Sequence, residues 1–128
     1  MKEFMLLIRN EGDGKAGLDV ATHLAFVKQC EVYIEALKKE KRLIAAQPLL
    51  REGTLLKADG EKWKEAPLDS NGNIQVGYYH ILAENLADAI AVAKRNPEFA
   101  YVPSATIEVR AIKMKEEQTA FVYPNQAS

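Results

Sequence analysis

The chain has 128 residues, 48% of them hydrophobic, which is one domain's worth of sequence with enough apolar material for a core. Its 17 basic and 18 acidic residues leave a net charge of -1, so no field is present to recruit nucleic acid or an anionic membrane, and neither is expected as a main partner. Cys30 is the single cysteine, which rules out an internal disulfide and fits a reducing compartment.

The N-terminal "MKEFMLLIRN" holds a five-residue apolar run, Phe4 to Ile8, closed by Arg9. It is too short for a membrane span and lacks a signal-peptide pattern, so a cytoplasmic protein is expected. "KEFMLLIR" reads as a first strand, and "NEGDGKAG", with three glycines in eight residues, as a flexible loop. From Asp19 to about Lys41, Val20, Leu24, Val27, Cys30, Ile34 and Leu37 recur at helical spacing, predicting a long amphipathic helix with these residues inward. "RLIAAQPLL", "GTLLKADG" and "EKWKEAPLDSNGN" follow as two or three strands joined by turns.

"IQVGYYHILA" is an aromatic-rich strand. Asn85 is placed to cap the helix "LADAIAVAKR", with Leu86, Ile90 and Ala93 on its inner face and Pro97 after its end. "TIEVRAI", residues 106–112, alternates as a half-buried strand. The order β-α-β-β-(β)-β-α-β predicts an α+β, ferredoxin-like domain over residues 1–112, with helices on one face of a mainly antiparallel sheet. A second copy is the simplest cover for the other face, so a homodimer is expected. Residues 113–128 read as a C-terminal extension, either disordered or clasping a partner through Phe121 and Tyr123.

"MKEFMLLIR", "GYYHILAENLADAIAVAKRNP" and "IEVRAI" together resemble the YCII-related family, in its DGPF-domain branch. The similarity covers residues 1–112. The branch motif itself is altered, since "PLDSNGNIQ" keeps Asp69 and Gly72 without the Pro-Phe pair. The resemblance implies a dimeric α/β barrel and a His-Asp pair. "THLAFVKQC" matches the helix-borne histidine at His23, whereas the aspartate position holds Asn96, which cannot act as a base.

His23 is therefore the candidate acid/base of a small-molecule pocket between helix and sheet, its imidazole suited to proton transfer near neutral pH. The chemistry expected is of isomerase, lyase or dehalogenase type on a small organic ligand. Tyr78 and His80 are candidates to orient that ligand, and Arg9 and Arg110, at strand ends, to clamp an anionic group. A non-catalytic binding or sensing module and a structural dimer are the alternatives. No cofactor is implied. No HxH, CxxC or HExxH spacing exists, so no metal site is expected. Cys30 reads as a small hydrophobe, and "GDGKAG" lacks the spacing of a phosphate-binding loop.

Overall fold

A computed structural model of the chain describes residues 1–12 and 18–124; the rest of the glycine-rich loop read at 10–17 and the end of the tail lie outside the described residues. The elements are β1 (Lys2–Asn10), α1 (Val20–Lys39), β2 (Leu43–Pro48), β3 (Thr54–Asp59), β4 (Lys62–Pro67), β5 (Ile74–Ala83), α2 (Leu86–Lys94), α3 (Glu98–Tyr101) and β6 (Thr106–Ala111). Four strands form one sheet in the order β2-β5-β1-β6, with every neighbouring pair antiparallel, and β3 and β4 form a separate hairpin. The α+β class holds: α1 and α2 pack on one face of this antiparallel sheet.

Strand alternation decides which residues meet the helices. Phe4, Leu6 and Ile8 of β1 and Val76, Tyr79, Ile81 and Ala83 of β5 are buried with Tyr33 and Leu37 of α1 and Ala89, Val92 and Ala93 of α2. Their neighbours Met5, Leu7, Tyr78, His80 and Leu82 face the helix-free side, half-buried. Gly77 lies against the neighbouring strand: a Cβ there would stand 3.2 Å from the Gln47 carbonyl oxygen.

Each helix buries part of the expected stripe, Leu37 and Ala93 among it, together with residues the spacing did not single out. Phe26, Tyr33 and Leu37 are the buried residues of α1, while Val20 and Leu24 are 78% and 57% exposed. Ile34 and Leu37 meet the core as the spacing predicts, and Phe26 and Tyr33 join them on one broad inward face. In α2 the small residues Ala89 and Ala93 go inward with Val92, allowing close approach to the strands, and Leu86 and Ile90 stay outside. The caps follow local chemistry. Asp19 Oδ1 accepts from the Thr22 amide at 2.7 Å, and Asn85 Oδ1 accepts from the Asp88 amide at 2.9 Å. α1 ends with Lys41 at φ 58°, its amide donating to the Lys38 carbonyl while Arg42 N donates to Leu37 O. This is the glycine-type helix stop carried by a lysine.

Arg95 grips Glu40 with both guanidinium nitrogens, at 3.0 and 2.7 Å, and Arg42 reaches Asp88 at 2.8 Å, tying the end of α1 to α2. The Arg95 hydrogen bonds hold the Glu40 carboxyl below its usual range, and Arg42 and the Glu84 amide do the same for Asp88. A carboxyl depressed on folding stabilises above its unfolded pKa, and that contribution fades as pH falls through the lowered folded value. Thermal melts from pH 6 down to pH 3 should therefore lose less stability in Arg95→Ala than in the parent, with a neutral-pH cost below about 1 kcal/mol because the Arg95–Glu40 pair is exposed.

Residues 113–124 fold back on themselves through a Lys115–Val122 bridge, with the Phe121 and Tyr123 rings 5.4 Å apart and Tyr123 donating to Glu116 at 2.9 Å. Among the described residues no helix is long and apolar enough to cross a membrane.

Candidate functional site

A cavity of about 270 Å³ lies between α1 and the sheet. Its floor is Ile8 of β1 with Val76, Gly77 and Tyr79 of β5; Ala46, Gln47 and Pro48 of β2 form one wall. His23, Phe26, Val27, Cys30 and Ile34 descend from α1, and Glu98 enters from α3. The surface is mostly apolar with a few convergent polar groups, the usual composition of a small-molecule site.

His23 stands at the rim, exposed on the first turn of α1, whereas Glu98 is buried at 4% exposure. Glu98 Oε2 accepts from Asn10 Nδ2 at 3.0 Å, and Asn10 Oδ1 accepts from Arg51 Nη1 at 2.6 Å. Arg51 is fixed in turn by donation from Nε to the Ser70 carbonyl at 2.6 Å and from Nη2 to the Gly72 carbonyl at 2.9 Å. Asn10 is fully buried, so this chain of hydrogen bonds runs through the interior from a charged guanidinium to the cavity carboxylate. Burial pushes the Tyr79 phenol well above the ordinary tyrosine range, with Cys30, Tyr33 and Glu98 adding to the shift. It therefore serves as a neutral hydroxyl and not as a base. Tyr33 is raised by burial in the same way, donates to the Val92 carbonyl at 2.9 Å and meets the Tyr79 ring edge-on at 5.3 Å.

The sequence-derived candidates fall on two sides of the sheet. His23 lines the cavity. Tyr78 and His80 face the helix-free side, paired with Leu7 and Met5 respectively, and it is Tyr79 that reaches the cavity. His80 Nε2 lies 2.6 Å from Glu3 Oε1, the two side chains only 16% and 12% exposed. Arg9 donates to Asn73 at 3.1 Å from two nitrogens. Arg110 pairs with Met5 and Arg9 with Thr106, so the arginines stand four ladder positions apart, about 13 Å at strand rise, and do not converge on one anion. The sheet thus separates His23 from Tyr78, His80, Arg9 and Arg110.

Glu98, Asn10 and Arg51 are the site residues that the sequence reading passed over. One signal was present: Asn-Pro-Glu at 96–98 is a helix-start pattern, and it opens α3 with Asn96 Oδ1 accepting from the Glu98 amide at 2.8 Å. Asn96 occupies the place where the resemblance expects a carboxylate, and a carboxylate arrives two residues later. No group of three or more His, Cys, Asp or Glu side chains able to hold a metal occurs among the described residues.

No protein-family model matches this chain, and no curated protein matches it.

Proposed function

We propose that the cavity under α1 binds a small, apolar-bodied organic molecule and that His23 moves a proton on it, with Glu98 as the second polar group. The observation that carries this reading is that His23 and Glu98, 75 positions apart in sequence, line one otherwise apolar cavity. A titratable ring at a cavity rim and a carboxylate inside it are the parts an isomerase, lyase or dehalogenase needs. The hold of Asn10 on Glu98 favours a second reading, a binding or sensing module in which the carboxylate orients a ligand without turnover. The order β2-β5-β1-β6, with both long helices on one face and the β3–β4 hairpin inserted, supports a ferredoxin-like plan. Together with the histidine on α1, it supports kinship with YCII-related proteins. The half-buried Met5, Leu7, Tyr78 and Leu82 on the helix-free side support a homodimer in which that side is covered.

The test is a screen of small cyclic and aromatic compounds, read by amide chemical shifts and by product formation. Shifts should cluster on the cavity, vanish in Cys30→Trp, which fills it, and persist in His80→Ala on the opposite side. Turnover should fall by about 100-fold or more in His23→Ala. Binding that survives His23→Ala with no product in the parent selects the module. Shifts confined to Tyr78 and His80 would overturn both readings.

A further inference from the structure

The charges around the cavity under α1 narrow the class of molecule it takes, an inference that rests on reading this cavity as the ligand site. Glu98 brings a carboxylate to the lining at 4% exposure. Among the described residues that line the space, none is a lysine or an arginine. His23, the lining residue able to take a positive charge, is exposed at the rim. Arg51 is not part of the wall: the Asn10 amide stands between it and Glu98, and its other nitrogens are spent on the Ser70 and Gly72 carbonyls. The charge of Glu98 is felt on the cavity floor as well, where burial raises the Tyr79 phenol and the carboxylate adds to the rise.

A ligand bringing a second negative charge into this space meets a like charge in surroundings where repulsion is several-fold stronger than in water. A cationic donor meets an acceptor already held in place, and charge-assisted hydrogen bonds are about twice as strong as neutral ones. Taking an ion out of water is costly unless a counter-charge and hydrogen bonds receive it, and Glu98 supplies both. The remaining wall sets the body of the ligand. Phe26, its ring 5.3 Å from that of Tyr101, and Tyr79 offer aromatic surface beside Ile34 and Val76, and aromatic faces attract cations as well as apolar groups. An apolar cavity of about 150 Å³ admits one benzene ring, so about 270 Å³ admits one ring with a short side arm. We propose that this site takes a primary amine, protonated at neutral pH, on a body of one apolar ring, with Glu98 receiving the ammonium and Phe26 and Tyr79 flanking the ring. Asn10 is then a positioning residue that holds the carboxylate.

The experiment titrates the full chain at neutral pH with three probes that share a body and differ in the head: phenethylamine, phenethyl alcohol and phenylacetate, followed by amide chemical shifts. The amine is expected to shift the cavity amides with an affinity about tenfold or more above the alcohol, and phenylacetate to leave them unmoved. Glu98→Gln keeps an acceptor for Asn10 and removes the charge, so it should bring the amine down to the affinity of the alcohol. If that variant does not fold, the ranking of the three probes on the parent decides by itself. An alcohol that binds as tightly as the amine, phenylacetate bound in the cavity, or an amine preference that survives in folded Glu98→Gln overturns the inference and leaves the cavity reading standing. Silence from all three probes overturns it too, and the wider compound screen with Cys30→Trp then judges the cavity reading separately.

Discussion

Replacing Asn10 with alanine is expected to lower the unfolding free energy by about 3 kcal/mol, measured by urea denaturation, although the change removes only a carboxamide. The side chain is fully buried and bonds two charged groups, donating to Glu98 at 3.0 Å and accepting from Arg51 at 2.6 Å. Hydrogen bonds to charged groups contribute about 1.5–3 kcal/mol each, and their loss in the interior is not made up by water. Arg51→Ala should cost a similar amount, because it strips the same amide oxygen and two loop carbonyls of a donor. The double variant should then cost clearly less than the two single losses together, as for residues of one network. Full additivity would show that Asn10 and Arg51 act independently.

Leu6→Ala should cost about 3 kcal/mol and lower Tm by about 10 °C. Leu6 is fully buried in a central strand, paired with Tyr79 on one side and Val109 on the other, beneath both long helices. Its neighbour Leu7, half-buried on the helix-free side opposite Tyr78 and Glu108, should cost about 1 kcal/mol when truncated in the isolated chain. Denaturant melts of the two variants, with unchanged m-values, make the comparison. A Leu7→Ala loss as large as that at Leu6 would mean that the helix-free side is buried in solution too.

The strands and the two long helices were legible because each carries a period, two for β1, β5 and β6 and near 3.6 for α1 and α2. What period alone leaves undecided is how wide the inward face is and where along the helix it begins. In α1, Ile34 and Leu37 of the expected stripe meet the core with Phe26 and Tyr33 beside them, while Val20 and Leu24 lie toward the exposed end, and that choice is made by the shape of the sheet beneath them. For the same reason His23 could be put on the correct helix and beside a cavity, while Tyr78 and His80 could be given to a face but not to the helix or helix-free side. Glu98 was missed because α3 is a single turn, too short for periodicity to register. Asn10 and Arg51 were missed because their partners lie 88 and 41 positions away in sequence. The hairpin could be read from its turn residues, but its separation from the main sheet depends on tertiary geometry that no local pattern encodes.

Arg51 does more than hold Asn10. It follows β2 at the root of the β3–β4 hairpin, and its other two bonds go to Ser70 and Gly72, in the segment by which the chain leaves the hairpin for β5. One guanidinium therefore pins both legs of the hairpin and, through a single amide, the carboxylate in the cavity. A rigid-body swing of the hairpin that spreads those legs must break bonds to a charge, at about 1.5–3 kcal/mol apiece, or carry Asn10 and Glu98 along.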